Sequence, residues 1–386
     1  MSVTTAARRA ARIGIATTFA AHAIVSVSWA PRIPAIKAHI GLSDGQLGIA
    51  LTGFACGTLL GTQLVRRPVD RLGSRAVIRV CMPLFALALV GPGIAGSLAG
   101  LALALLMLGL LAGALDVAMN VQAVDVERVY ERPMMSGIHA TWSIGMLVGG
   151  AVSALAATAG VPVAPTLITI GAVVAVTTVV PLSKLLPGGV GVRPNHGVHG
   201  RPGMLLPIAI LGAIGFGSYL AEGSAADWSA VYLHEGIGVE QGIAALAFVS
   251  FSAGMVIARL VGDRFTARFG PTAVVRAGGI GAAIALASVL VLHATVPAMF
   301  GFGLLGLCLG PIVPVAFSAA GNAAVPRPED VLGWVVTISY LGSIVGPILI
   351  GAAAEAASLR AALLIPVVVT LAVAVIAGAI PRVRRP

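Results

Sequence analysis

The sequence predicts an all-α membrane protein with twelve transmembrane helices, arranged as two six-helix bundles related by pseudo-two-fold symmetry. Composition, the placement of basic residues and an internal repeat support this prediction. Of the 386 residues, 58% are hydrophobic and 10% are charged, whereas about a quarter of a soluble domain is charged. A soluble fold cannot bury that much apolar surface, and helices satisfy their own backbone hydrogen bonds in lipid.

Apolar runs near or above the roughly 20 residues that cross the hydrocarbon core recur along the chain. The predicted spans are residues 13–36, 45–65, 76–95, 98–123, 134–158, 163–186, 204–232, 241–261, 272–292, 296–321, 332–354 and 359–380. Residues 187–203 are rich in Gly and Pro and are predicted to be a cytoplasmic linker. The linker separates an N-terminal bundle, residues 1–186, from a C-terminal bundle, residues 204–386.

The basic residues give an independent test of this map. If both termini are cytoplasmic, 21 of the 24 Lys and Arg residues fall on the cytoplasmic side, and only Arg32, Lys37 and Arg360 fall outside. Basic residues accumulate in cytoplasmic loops, so the split favours a multi-pass chain with cytoplasmic termini. Because the net charge of +10 is spread between apolar runs, we do not expect nucleic-acid binding.

The two halves of the sequence also align on each other. Asp70-Arg71 matches Asp263-Arg264 at an offset of 193 residues, and the offset then becomes 197. The pairs at the second offset are Arg79/Arg276, Gly109/Gly306, Gly113/Gly310, Gly145/Gly342 and Gly149/Gly346. Parallel repeats are typical of transporters. The glycines lie four residues apart, a spacing that predicts close helix packing.

The loop at Asp70 resembles the signature G-x-x-x-D-R-x-G-R-R of the major facilitator superfamily of transporters. Asp70, Gly73 and Arg75 fit the signature, whereas Arg66 replaces its first glycine and Ser74 replaces a basic residue. The resemblance covers essentially the whole chain. It implies that family's fold, transport by alternating access, and no catalytic activity.

The resemblance further implies a cytoplasmic latch, in which a carboxylate of the loop faces a helix N-terminus. The implied latch residues are Asp70, Arg71, Gly73, Arg75, Asp263 and Arg264. The alternative is an ordinary charged turn.

Three further strings, residues 28–34, 116–127 and 222–232, are similar to those of a poorly characterised branch of bacterial permeases. That branch is distantly related to sugar-proton symporters such as the fucose permease. The resemblance implies a bacterial inner (plasma) membrane location. It does not indicate the substrate.

Acidic residues inside the predicted spans are the best guide to a solute path. A charge near the bilayer centre costs on the order of 3 kcal/mol, so it usually faces a wet cavity. Asp116 and Asn120 lie one turn apart on the fourth predicted span, and their repeat equivalents are Val313 and Phe317. We expect Asp116 to take up and release a proton during transport. The alternative is a structural hydrogen bond to a neighbouring helix.

Glu222 and Asp227 are predicted near the outer part of the seventh span, where Gly223 would loosen the helix. Alternatively, one or both are solvated at the outer mouth. Arg32 is predicted to pair with an acid or to bind an anion, or instead to snorkel to the interface. Trp29 is predicted to stack on solute, the alternative being an interfacial Trp.

His139 and Trp142 belong to a stripe at helical spacing in the fifth predicted span. The stripe is explained either by packing or by a cavity lining, in which case His139 would sense pH. The candidate residues for proton coupling or the solute cavity are therefore Asp116, Asn120, Glu222, Asp227, Arg32, Trp29, His139 and Trp142.

No motif for catalysis, for ATP binding or for a metal is found, so we expect no enzyme activity, cofactor or metal site. His196 and His199 in the linker are not expected to bind metal. The sequence favours a monomeric, proton-coupled secondary transporter of a small polar or amphipathic solute. It leaves the direction of transport open. The alternatives are multidrug-type efflux by proton antiport and a solute sensor that does not transport.

Overall fold

Twelve helices in the computed structural model are long and apolar enough to cross a membrane, which confirms the predicted number. The model describes residues 5–130, 134–187, 204–323, 325 and 328–380. All but the first residue of the predicted linker lies outside the described residues, as do His196, His199 and the basic residues near the C-terminus. The described residues are almost entirely helical and contain no strand.

The spans are numbered in chain order. Spans 1 to 6 are Ala7–Ile40, Asp44–Leu72, Ser74–Ile94, Leu98–Tyr130, Gly137–Thr158 and Val163–Ser183. Spans 7 to 12 are Leu205–Gly236, Gln241–Phe269, Pro271–Leu292, Thr295–Gly321, Asp330–Ala356 and Leu359–Ala379. Contacts within the chain divide it into two compact units, residues 1–42 with 50–193 and residues 43–49 with 194–386.

Span 1 is interrupted at a proline, whereas the predicted loosening of span 7 at Gly223 is wrong. Span 7 is continuous from Leu205 to Val231 and then forms a π-helical turn, Tyr232–Gly236. By contrast, span 1 is interrupted by a 3-10 turn, Ala30–Arg32, which contains Pro31. Proline lacks the N–H that continues a helix, whereas a glycine keeps its hydrogen bond, which lipid strongly favours.

Span 8 is longer than the sequence predicted. The apolar run ends near Val261, but the helix continues to Phe269 through a charged turn. Arg259, which the charge count assigned to the cytoplasmic side although it falls within the predicted span, lies inside a helix of span 8. Charged residues with good helix propensity extend a helix beyond its apolar run, so hydropathy alone sets this boundary too early.

The predicted close packing at the repeated glycines is confirmed except at Gly346, where an added Cβ atom would come no closer than 3.6 Å to Leu220. A Cβ atom at Gly109 would collide with the backbone oxygen of Phe54, and one at Gly306 would collide with that of Phe251. The first contact lies within the first unit and the second contact within the second unit. Gly306 follows Gly109 by 197 residues, and Phe251 follows Phe54 by the same number. The two units thus repeat the same helix contact at matched positions.

The same contacts correct the alignment of the acidic-basic loops. The offset of 197 already holds in span 2, and it pairs Gly73 with Gly270. Both glycines end a helix with nearly identical backbone angles, φ 80° and ψ 154° against φ 83° and ψ 160°. Asp70 therefore corresponds to Ala267, and Asp263 lies one helical turn earlier than its predicted equivalent.

Candidate functional site

Asp116 and Asn120 form a polar pair close to the midpoint of span 4. The Asn120 amide donates to the carboxylate Oδ1 of Asp116 at 3.2 Å and to the Asp116 backbone oxygen at 2.8 Å. Within the described part of the chain, neither side chain bonds to a neighbouring helix. The structural alternative, a hydrogen bond between helices, is therefore not what the structure contains.

The pair lies on the accessible face of span 4 within its unit. Asp116, Val117, Asn120 and Val121 are half-buried, whereas the intervening Ala118 and Met119 are buried. Helical periodicity places the half-buried residues on one side. The polar pair therefore lies on the half-buried side of span 4.

His22 of span 1 is a buried polar residue that the sequence search missed. Trp142 of span 5 donates its indole N–H to His22 Nδ1 at 3.2 Å, and the Nε2 of His22 lies 3.1 Å from the backbone oxygen of Ala112. Because Nδ1 accepts, Nε2 carries the proton, and the imidazole is neutral. Ala112 precedes Asp116 by one turn on span 4, so His22 links the predicted residue Trp142 to the helix of Asp116.

His139, one turn before Ser143 on span 5, is exposed within its unit and meets Phe19 edge to face, with ring centroids 5.1 Å apart. Trp142 is half-buried. The first is thus accessible to protons, whereas the second is held by its hydrogen bond to His22. The cavity role predicted for both residues stays a prediction.

Trp29 and Arg32 are enclosed at the 3-10 turn of span 1, with exposed fractions of 4% and 5%. The Trp29 indole donates to the backbone oxygen of Ser26 at 2.8 Å, and its ring lies 5.7 Å from that of Phe54. Neither residue extends to the surface, which disagrees with the interfacial and snorkelling alternatives.

Arg32 links this turn to the loop between spans 5 and 6 by a hydrogen bond. Its Nη2 donates to the backbone oxygen of Val161 at 2.5 Å. Its Nε and Nη1 are buried and have no hydrogen-bond partner among the described residues. The guanidinium thus keeps donors that an anion would satisfy.

Glu222 lies near the midpoint of span 7, deeper than the outer position that the sequence predicted. Its carboxylate is 3.5 Å from the guanidinium of Arg259 on span 8. The side chains are 20% and 28% exposed, so the ion pair is accessible. Asp227, five residues further along the helix, is half-buried and has no hydrogen bond or ion pair to the other described residues.

An aromatic cluster lies one turn from Glu222 in the second unit. Tyr219 stacks on Tyr340 of span 11, with ring centroids 5.5 Å apart and planes 17° apart. Phe317 of span 10 lies 6.5 Å from Tyr219. Tyr219 and Glu222 are three residues apart and therefore on one helix face. The second unit thus combines a flat aromatic surface with a charged pair.

The first predicted latch loop is only partly engaged within its unit. Asp70 and Arg71 are exposed. Arg75 donates to the backbone oxygen of Ser183 at 2.9 Å, and Arg79 donates to the same oxygen at 3.3 Å. Cations are favourable at the carbonyl end of a helix, so the two arginines stabilise the end of span 6.

The departure from the signature at Ser74 has a packing reason. Ser74 is fully buried and donates to Oε1 of Gln122 at 2.7 Å, and Gln122 donates to the backbone oxygen of Leu186 at 3.3 Å. A basic side chain would not fit this buried link between spans 3 and 4.

A carboxylate does meet a helix N-terminus in the first unit, but it belongs to Glu127. Glu127 accepts from the backbone N–H groups of Met134 and Met135 at 2.7 and 3.0 Å. These groups open the helix Met135–Thr158 of span 5. In the second unit Asp263 and Arg264 are exposed.

His22 and Arg259 are the main residues that sequence reasoning missed. A search for any ionisable side chain inside a span, rather than for acids alone, would have found His22. Arg259 lay inside the predicted span 241–261 but was missed because it was counted among the basic residues of the cytoplasmic side. No group of three or more potential metal ligands occurs among the described residues.

The family model of the Major Facilitator Superfamily matches residues 13–220 and 210–386. An uncharacterised transporter of Sinorhizobium fredii is 34% identical over 358 residues, covering 90% of this chain and 92% of that protein. An uncharacterised MFS-type transporter of Yersinia pestis is 34% identical and covers 92% of each chain.

Among solved structures, a variant of the nucleoside transporter NupG has a TM-score of 0.79 at 12% identity, over 96% of this chain and 99% of that chain. At this level of identity the similarity concerns the fold. It supports the arrangement of twelve helices and gives no information on solute.

Proposed function

This chain belongs to the major facilitator superfamily of membrane transporters, and we propose that it moves a small polar or amphipathic solute by proton-coupled alternating access. Membership makes it a multi-pass secondary transporter. Proton coupling, the class of solute and the residues involved are the proposed part.

The observation that carries the proposal is the carboxylate of the half-buried Asp116, close to the midpoint of span 4. An ionised side chain at the centre of a membrane helix costs on the order of 3 kcal/mol. The repeat equivalent of Asp116 is Val313, so packing of this helix does not require a carboxylate. A carboxylate inside a span that packing does not require is suited to exchanging a proton.

The surroundings of each carboxylate suggest the solute class. In the first unit the amide of Asn120 lies beside Asp116 on an accessible face, which suits a polar solute. In the second unit Tyr219 and Tyr340 present stacked rings near Glu222. Polar groups combined with aromatic surface favour a solute with both polar and apolar parts.

We place the chain in the bacterial inner membrane as a monomer, with both termini cytoplasmic. The distribution of Lys and Arg between the spans supports this orientation. Asp70, Arg71, Gly73 and Arg75 are proposed as the latch at the cytoplasmic side. The hydrogen bond from Arg75 to the backbone oxygen of Ser183, at the end of span 6, supports a role of this loop in holding the cytoplasmic ends of helices together.

Reconstituted protein tests the proposal. Proteoliposomes containing a pH-sensitive dye are loaded with a solute panel, and counterflow and internal pH are recorded together. We expect flux of at least one small polar or amphipathic solute with proton movement. Solute flux without proton movement would contradict proton coupling. Proton-coupled flux of diverse hydrophobic cations would indicate multidrug efflux. Solute binding without flux would indicate a sensor.

Asp116→Asn identifies the proton carrier. We expect the variant to retain counterflow but to lose accumulation driven by a pH gradient. Asp125→Asn is the matched control, since Asp125 lies on the same span and is paired with the exposed Arg128 at 3.5 Å. If Asp116→Asn accumulates solute as well as the control does, Asp116 has no role in coupling.

A further inference from the structure

We propose that Gly48, Gly351 and Glu355 form an outer latch that holds the ends of spans 2 and 11 together and has to open once in each transport cycle. The inference rests on the proposed function and adds a conformational step on the outer side. In the proposed orientation, span 2 begins and span 11 ends on that side of the membrane.

The backbones of the two spans touch at a pair of glycines. A Cβ atom at Gly48 would collide with the backbone oxygen of Pro347, and one at Gly351 would lie 2.7 Å from the backbone oxygen of Asp44. The same added atom at Gly351 would lie 3.0 Å from the Cα atom of Gly48. Only small residues allow membrane helices to approach this closely, so both glycines are needed for the contact.

A carboxylate reinforces this contact one turn further along span 11. The Oε2 of Glu355 accepts a hydrogen bond from the backbone N–H of Gly45 at 3.1 Å. Gly45 lies in the first turn of the helix Asp44–Leu64, whose first N–H groups have no acceptor within the helix. The N-terminus of a helix also carries a partial positive charge, beside which a carboxylate is stabilised. Glu355 therefore binds span 2 both by a hydrogen bond and by charge.

The two parts of span 2 belong to different units of the chain. Residues 43–49 belong to the second unit, whereas the rest of the span belongs to the first. In the first unit, a Cβ atom at Gly57 or Gly61 would collide with backbone oxygens of span 4. The helix Asp44–Leu64 is nevertheless uninterrupted. Alternating access moves one bundle against the other, and a continuous helix cannot then keep both sets of contacts.

The outer contact is the one suited to release. Gln46 and Ile49 beside it are exposed on span 2, and Glu355 and Ala356 are exposed on span 11. Water can therefore replace the hydrogen bond of Glu355 when the helices separate. Gly57, by contrast, is buried against span 4. Local opening is least costly where few groups are buried and hydrogen bonds are exposed to solvent.

The internal repeat argues that the helices fold without these residues. At the offset of 197, the residues equivalent to Gly48, Gly351 and Glu355 are Ala245, Ala154 and Thr158. The matched positions thus carry neither the glycines nor the carboxylate, although the helix contacts within each unit are repeated. A contact that packing does not demand, and that one pair of spans carries, is suited to a switch.

A disulfide tests whether the contact has to open. A Cβ atom at Gly45 would lie 3.6 Å from the Cβ atom of Glu355, within the roughly 3.5–4.5 Å that a disulfide spans. The double variant Gly45→Cys/Glu355→Cys is made in the full chain with Ala at its three native cysteines. It is reconstituted with the solute that shows counterflow in the panel. We expect the disulfide to form on oxidation, counterflow to fall at least tenfold, and reduction to restore it.

The matched control is Gly45→Cys/Ala356→Cys in the same chain. Ala356 follows Glu355 directly, so helical geometry turns its side chain by about 100° away from the direction of Glu355. We expect no disulfide in this control and equal counterflow with and without reductant. The cysteine-free chain itself is expected to transport as the wild type.

Hydrogen–deuterium exchange of residues 43–49 measures opening without any added cysteine. Glu355→Ala removes the acceptor of the first-turn N–H group and should speed exchange in this segment about fivefold, the factor expected for loss of one helix cap. Gly48→Ala overpacks the contact and should also speed exchange. Gly346→Ala is the control on span 11, because a Cβ atom there would make only ordinary contacts, and it should leave exchange unchanged.

The inference is overturned if the oxidised Gly45→Cys/Glu355→Cys protein transports as fast as the reduced protein, or if its disulfide does not form. It is also overturned if Glu355→Ala and Gly48→Ala exchange as slowly as the wild type. Flux that persists through the disulfide leaves the proposed function intact and refutes the latch. If the wild type moves no solute, the proposed function fails, and faster exchange in the two variants still supports the outer contact.

Discussion

Gly149 and its repeat equivalent Gly346 allow one helix contact to be tested twice in the same molecule. A Cβ atom at Gly149 would lie 2.8 Å from the backbone oxygen of Ile24 in span 1. A Cβ atom at Gly346 would lie no closer than 3.6 Å to Leu220 in span 7, which is ordinary contact. The substitutions Gly149→Ala and Gly346→Ala are therefore the same change with different consequences.

The expected difference follows from these distances. Relaxing the contact of 2.8 Å to an ordinary separation of about 3.5 Å requires spans 1 and 5 to move apart by roughly 0.7 Å. Such overpacking costs about 1–3 kcal/mol. Both variants gain about 1 kcal/mol because Ala favours a helix over Gly, and this gain cancels in the comparison. Gly149→Ala should thus be about 1–3 kcal/mol less stable than Gly346→Ala.

Thermal unfolding in detergent measures this difference. The three half-buried cysteines, Cys56, Cys81 and Cys308, react with a thiol-sensitive dye as the helices separate. We expect unfolding of Gly149→Ala at a lower temperature than the wild type, and of Gly346→Ala at the same or a higher temperature. Equal shifts in the two variants would refute the close approach of spans 1 and 5.

Three further substitutions test single contacts. Ser74→Ala leaves the buried Oε1 of Gln122 without its donor and should cost about 1–3 kcal/mol in thermal stability. Ser318→Ala, at an exposed site on span 10, should cost little. Glu127→Ala removes two bonds to the first N–H groups of the span 5 helix and should cost about 1 kcal/mol; Glu127→Gln, whose amide oxygen still accepts, should cost less, and equal losses would contradict capping. Trp142→Phe removes the donor to His22 Nδ1 and should make flux depend more steeply on acidic pH, because the imidazole can then accept a proton there; an unchanged pH profile would contradict a role for this bond.

Hydropathy and charge were sufficient to predict the twelve helices, because the cost of exposing backbone and charge to lipid dominates all other terms. They were insufficient at span 8, where the helix runs to Phe269 past the end of its apolar run. Beyond the hydrocarbon core, a charged turn remains helical for reasons that hydropathy does not measure.

The internal repeat was recognised from sequence, but its register in one loop was wrong. Matching the dipeptides at Asp70 and Asp263 gave an offset that differs by one helical turn from the offset of the helix contacts. The structure matches Gly73 with Gly270 instead, since both positions require a positive φ that favours glycine. Backbone geometry was thus a better marker of equivalence than a charged pair on an exposed surface.

The candidate site could be predicted only in part, because a single sequence shows which polar residues lie inside spans but not what they face. Asp116 and Glu222 were found by their charge alone. Asn120 was found with Asp116, because their bond joins residues one turn apart on a single helix. Arg259, the partner of Glu222, was not found, because contact between two helices depends on their rotation and depth. His22 went unnoticed although it is as buried as Arg32, with exposed fractions of 6% and 5%.

Comparison of equivalent positions in the two units argues that these polar residues serve transport rather than folding. The matched helix contacts pair His22 with Ser218 and Trp142 with Ser339. Ser339 bonds to the backbone of its own helix at 2.6 Å, so its unit forms the corresponding contact without a bond between side chains. Because the helix contact forms with either set of residues, packing does not explain why one unit carries the larger polar side chains, which are more costly to bury. The histidine and indole in one unit, and the ion pair in the other, therefore require a reason beyond packing, and the proposed exchange of solute and protons is such a reason.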